Sequence, residues 1–169
     1  MSKENQSEGS VLDHLYLSIF TSFRLTALCL FVVCSAAHAQ SDSKIVSEIR
    51  AVLESQQQAW NRGDIDAFMN GYARARWTTF VSEDKVTRGW QTVRDRYKKK
   101  YSDRAKMGTL AFSDLEITPL ADGAAVVLGR WKLKRAQDQP HGCFTLIFRR
   151  TSEGWRIVHD HTSAAPPPR

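Results

Sequence analysis

Gly154-Trp155-Arg156-Ile157-Val158-His159-Asp160-His161-Thr162-Ser163 is the stretch from which the rest of the chain can be laid out. A polar turn, Thr151-Ser152-Glu153-Gly154, leads into a run rich in aromatic and β-branched residues, which spells a β-strand. On an unbroken strand Trp155, Ile157, His159 and His161 share one face, and Arg156, Val158, Asp160 and Thr162 share the other. Apolar residues come early and ionisable ones late, so the strand is expected to run from a packed interior toward a polar site. Two histidines flanking a carboxylate make its far end the most chemically loaded position in the chain.

Working outward, the sequence before this strand also reads as β. Thr109 to Thr118 is expected to be a long strand, bulged near Ser113-Asp114 and stopped by Pro119. Asp122-Gly123 is a hairpin turn into Ala124–Lys134, and Asp138–Gly142 is a loop before Cys143–Arg150. Further back the period changes to that of a helix. Ile45, Ile49, Val52, Leu53, Gln56 and Trp60 recur at helical spacing, with Asn61-Arg62-Gly63 supplying a glycine end. Asp64 then caps a short helix through Ile65, Phe68 and Met69. Arg76–Ser82 is expected to be the first strand, Val86-Thr87-Arg88 its hairpin partner. Gly89 opens a helix with Trp90, Val93, Tyr97 and Tyr101 on one face and Arg94, Arg96, Lys98, Lys99 and Lys100 on the other. Such a charge run is ordinarily a solvated face, with an anion site as the alternative. Ala164–Arg169 contains three prolines and reads as a tail outside the sheet.

Helices followed by a meander of long antiparallel strands make an α+β plan. A twisted sheet of four or five strands would curl around the N-terminal helices and leave a cone-shaped blind cavity between the layers, a natural place for a ligand.

The chain has 169 residues and a formal net charge of +6, enough for one ordinary domain with a core. Its first part reads differently. Leu25 to Ala37 is an apolar run preceded by Arg24 and followed by Ala37-His38-Ala39, the pattern of a secretory signal peptide cleaved after Ala39. The run is shorter than the roughly 20 residues that span a bilayer, so no stable membrane anchor is expected once it is removed. Residues 1–39 are therefore assigned to a leader with an extended n-region, and 40–169 to a single domain that is secreted or periplasmic. Cys143 is the one cysteine outside the leader, which excludes an internal disulfide and a cysteine metal cluster in that domain. The positive charge is read as a solvated surface, not as a nucleic-acid interface.

The order of elements, the Asn61-Arg62-Gly63-Asp64-Ile65 joint and the closing Trp155, Val158-His159-Asp160-His161 and Ser163-Ala164-Ala165-Pro166 pattern together resemble the nuclear-transport-factor-two-like superfamily, also called cystatin-like or SnoaL-like. The final strand is especially similar to the end of the calcium/calmodulin-dependent protein kinase II association domain. The resemblance implies a curved antiparallel sheet wrapped around helices. It does not imply one activity, because the superfamily includes isomerases, dehydratases, hydrolases and binding or assembly modules. It implies that Arg130 points into the pocket, and it places Thr145 and Thr162 where the association domain carries two further pocket arginines.

If Arg130 and Thr162 face inward, Asp160 does too, and His159 and His161 face out. Asp160 could then be a general base, as a carboxylate is in the superfamily's isomerases, or an ionised partner of Arg130 with a lowered pKa; the ion pair is the plainer reading. His159 and His161 would have rings about 7 Å apart on one side, with only His141 as a third metal ligand, so no metal site and no cofactor are assigned. Phe68, Tyr72, Trp77 and Tyr97 are expected to wall the cone. Trp131 and Leu133 would lie outside, where a second copy would cover them in a homodimer. The resulting expectation is an exported binding or association module for a small molecule, anionic if Arg130 contacts it; the alternative is a lyase or isomerase using Asp160 on a carbonyl-bearing metabolite.

Overall fold

The computed structural model describes residues 40–166, so the leader-like segment 1–39 and the last three residues lie outside the described residues. The chain divides into two units, Met1–Asp42 and Ser43–Arg169, and the second carries the fold. The described elements are α1 (residues 40–62), α2 (Ile65–Met69), β1 (Thr79–Ser82), β2 (Lys85–Arg88), α3 (Trp90–Lys100), α4 (Arg104–Met107), β3 (Thr109–Ala121), β4 (Ala124–Lys134), β5 (His141–Thr151) and β6 (Gly154–Thr162).

Helix α1 buries Ile45, Ile49, Leu53, Gln56 and Trp60, the stripe that its periodicity defines. It stops at Gly63, whose φ of 83° is cheap only for glycine, and the amide there donates to the Trp60 carbonyl at 2.8 Å. The Asp64 carboxylate accepts from the Ala67 amide at 2.9 Å and starts α2. Asp103 does the same for α4 through the Lys106 amide at 2.9 Å. That helix, a single turn, has too few residues to show a period.

The six strands form one open, curved sheet in the order β2-β1-β6-β5-β4-β3. It is antiparallel except for β1, which lies parallel to β6. The sheet has six strands where four or five were expected from the sequence, and two further details differ for physical reasons. Strand β3 runs through Pro119 to Ala121, because it is the edge strand and the proline's missing N–H faces no partner. After β6, the Ser163 and Ala165 amides still donate to the Cys143 and His141 carbonyls, so the tail keeps pairing until Pro166. The bulge expected in β3 is present, with a register shift between Ser113 and Glu116 and Asp114 at a φ of 51°.

A second bulge is decisive. Ile147 pairs with His159 but Phe148 pairs with Ile157, which leaves Val158 as an extra residue in β6. Alternation is therefore reversed at Val158. Trp155 and Ile157 face the core before it, and Asp160 and Thr162 face the same way after it. The strand's apolar start and polar end thus belong to one inner face, whereas an unbroken strand would have put them on opposite sides.

In β4 the inner row is Ala125, Val127, Gly129, Trp131 and Leu133, and in β5 it is Gly142, Phe144, Leu146 and Phe148. Gly129 is required there, since a Cβ would collide with the Phe144 ring and the Leu115 side chain. These inner rows, the α1 stripe and Phe68 and Met69 of α2 form one continuous core.

Candidate functional site

Between the helices and the inner face lies a cavity of about 120 Å³. Trp60 of α1, Phe68 of α2, Tyr97 of α3 and Tyr101 at its C-cap form the helical wall; Phe112, Trp131, Phe144 and Leu146 form the sheet wall. The rings hold one another in place. Trp60 meets Phe68 edge-on at 5.1 Å and Tyr101 at 4.7 Å, while Phe68 stacks on Tyr97 at 6.0 Å. The Trp60 indole N–H donates to the Met107 carbonyl and that of Trp131 to the Ser163 carbonyl, so both present apolar surface to the cavity.

Asp160 is the one acidic side chain in this wall. The bulge at Val158 turns it inward, and a local irregularity supplies its partner. Residues 71–73 bridge to Ile157 through Ile157 N–H to Gly71 and Ala73 N–H to Ile157, before β1 takes over pairing along the same edge. This bridge brings Tyr72 alongside β6. Its hydroxyl donates to Asp160 Oδ2 at 2.8 Å, and the Thr162 hydroxyl donates to Oδ1 at 2.6 Å. Among the described residues no lysine, arginine or histidine forms an ion pair with Asp160. Burial pushes the carboxyl above the ordinary aspartate value, opposed by the two hydroxyl donors and the neighbouring histidines. The same burial, reinforced by the carboxylate beside it, raises the Tyr72 phenol well above its usual range. Burial raises Tyr97 likewise.

Phe68, Tyr72, Tyr97, Asp160 and Thr162 therefore come together around one cavity. Three of the expected pocket residues do not. Arg130 lies on the outer face with its side chain 60% exposed, and its Nε sits 3.3 Å from Asp114 at the β3 bulge. The row Ala125, Val127, Trp131 and Leu133 has to be covered, so the alternate row that holds Arg130 must face solvent. Thr145 pairs with Leu128 on the same outer face. Trp77 stands in a turn before β1, which begins only at Thr79, and is 56% exposed. Trp131 and Leu133, expected outside, are on the inner face, which removes the apolar row on which the dimer expectation was built.

Several wall residues have no signal of their own in the sequence. Tyr101 is findable as the i+4 neighbour of Tyr97, and Trp131 from the apolar row of β4. Gln56, whose amide donates to the Phe68 carbonyl at 3.0 Å, reads only as one position in a helical stripe. His159 and His161 lie on the outer side of the bulged strand, and among the described residues no three metal-ligating side chains converge.

Comparison with known proteins agrees with this fold. The profile of the SnoaL-like domain family matches residues 49–167. No curated protein matches the chain. Among solved structures, a nuclear transport factor 2-like protein of unknown function from Shewanella oneidensis is 41% identical, with a TM-score of 0.68 over 70% of this chain and 98% of that one. A nuclear transport factor 2-like superfamily protein from Salmonella enterica is 18% identical, with a TM-score of 0.60 over 75% and 94% of the two chains. A Xanthomonas campestris structure, provisionally named a calcium/calmodulin-dependent protein kinase II association domain, is 15% identical, with a TM-score of 0.57 over 70% and 86%. The last two are similar in fold alone.

Proposed function

This chain belongs to the SnoaL-like family, and from that premise we propose that its domain binds a small, mostly apolar molecule in the aromatic cone, with a polar group of the ligand turned toward Asp160. One observation carries the reading. Asp160 is buried, is held by two hydroxyl donors, has no cation partner among the described residues, and borders the cavity. A carboxyl raised by burial costs stability whenever it ionises, which is a reason to expect that it serves a ligand. The size of the cavity supports a small occupant, since an apolar cavity of roughly 150 Å³ takes up benzene.

A second reading has support from the same carboxyl. The ion pair with Arg130 that would have lowered its pKa is absent, and its raised value suits proton abstraction next to a ligand carbonyl, as in an isomerase or lyase. Titration by NMR with cyclohexanone separates the two. Binding predicts shifts at Trp131, Tyr97 and Asp160. Catalysis predicts in addition that deuterium enters the α-carbon in D₂O faster with the protein than without it, and that Asp160→Asn abolishes the gain. No shift at any cavity residue with cyclohexanone or related small cyclic ketones would sink both. The leader-like sequence at 25–39 supports a place for this domain outside the cytoplasm.

A further inference from the structure

The cone opens into a second, larger chamber of about 370 Å³, and Tyr97, Tyr101, Trp131, Asp160 and Thr162 line both. The outer chamber has a different chemistry. Lys85 of β2 and Arg96 and Lys100 of α3 line it, with Glu83 as the single acid besides Asp160.

Four of the five basic residues of α3 divide into two sets. Arg94 and Lys98 face α2 and are paired with Asp66 at 3.6 and 2.7 Å. Arg96 and Lys100, one turn apart on the neighbouring face, form no ion pair among the described residues, and neither does Lys85. Two of these cations are also positioned. Arg96 donates through Nη1 to the Thr87 hydroxyl at 3.0 Å, and its guanidinium lies 5.8 Å from the centre of the Tyr97 ring. The Lys100 ammonium lies 5.4 Å from the centre of the Tyr101 ring. Tyr97 and Tyr101 are cone walls, so each cation rests on a ring that also borders the cone. Arg94 also lies over a ring, 5.4 Å from the centre of Trp90, so what sets Arg96 and Lys100 apart is that they are unpaired among the described residues and that their rings border the cone.

We infer that the outer chamber is an anion subsite of the same pocket, suited to a ligand whose small ring occupies the cone and whose carboxylate, carried on a short chain, is held by Arg96 and Lys100. The inference rests on the binding role proposed for the cone. Arg96 has donors to spare after its bond to Thr87, and its planar fork matches a carboxylate. Lys85, on β2 two residues before the Thr87 that Arg96 contacts, adds attraction without a fixed geometry. The cone is too small for more than one ring, so substituents of a bound ring have to emerge into this chamber.

The experiment uses phenylacetate, 3-phenylpropionate and 4-phenylbutyrate, each beside its primary amide, with binding followed by NMR of the Trp131 indole N–H and by calorimetry at low salt. At least one acid is expected to bind about tenfold or more tightly than its amide, a factor worth roughly 1.4 kcal/mol. The chain length that maximises the gap reports the span from cone to subsite. In the double variant Arg96→Gln, Lys100→Gln the preference should fall to near unity, the amide losing far less than the acid, and circular dichroism checks that the fold is kept. Raising salt to about 0.5 M should shrink the preference of the unaltered protein. If acids and amides bind alike, or the preference survives the double substitution, the anion subsite is overturned while the cone reading stands. If none of the six binds, the cone reading falls and the subsite falls with it.

Discussion

Tyr72→Phe isolates the contact on which the site depends. The phenol donates to Asp160 Oδ2 at 2.8 Å inside the core, and the acceptor is a carboxylate. Hydrogen bonds to charged groups contribute about 1.5–3 kcal/mol. Losing that bond should therefore raise the Asp160 carboxyl further. Thr162 continues to donate to Oδ1, which limits the rise. The sign of the stability change follows. Burial already places the folded-state value above the unfolded one, and the variant places it higher still. The loss relative to the unaltered protein is therefore largest at neutral pH, at about 1.5–3 kcal/mol, and shrinks as pH falls and the carboxyl protonates. The assay is a carbon-13 titration of labelled aspartate carboxyls, paired with urea unfolding at neutral and acidic pH. An unchanged or lowered Asp160 value in the variant would refute the reasoning, because the phenol would then not be stabilising the charged form.

Asp160→Asn tests the same group from the other side. A raised acid contributes stability below its unfolded pKa and loses it as pH rises through the folded value, so the amide should be at least as stable as the acid at neutral pH by urea unfolding. A marked loss at neutral pH would count against a strained carboxyl. Arg130→Ala should change stability by no more than about 1 kcal/mol, because the pair with Asp114 is well exposed on both sides; a loss of several would mean that Arg130 is buried in solution. A homodimer through the outer sheet face remains our proposal on new grounds, with Leu128 and Ile147 exposed on adjacent strands there. Light scattering should give twice the monomer mass, and Leu128→Asp with Ile147→Asp should give a monomer. N-terminal sequencing of exported protein should begin at Gln40, and a product that keeps residues 25–39 would refute the leader.

Most of the architecture could be read from local pattern. The α1 stripe, the glycine end at Gly63, the Asp64 cap and the long strands each depend on neighbours within a few residues, where spacing and side-chain type act directly on the backbone. The apolar row of β4 was legible in the same way, and it already pointed Arg130 outward; the family resemblance pointed the other way, and the cost of burying a guanidinium agrees with the pattern. The placement of Asp160 was of another kind. Its inward direction depends on one extra residue, Val158, whose effect is visible only when β6 is paired with β5. One of its two hydrogen-bond partners, Tyr72, is 88 positions away, on a segment that neither helix nor strand periodicity marks. The division of the α3 cations is similar, since Arg94 and Arg96 both flank Asp95 in sequence, and only the folded structure shows that Arg94 pairs with Asp95 and with Asp66 of α2 while Arg96 turns to Thr87. Spacing along the chain thus determined which elements form and which of their faces are apolar, because those forces act at short range. Which polar groups meet in the cone was decided by tertiary structure, because a bulge and a crossing chain reorient side chains without leaving a local trace.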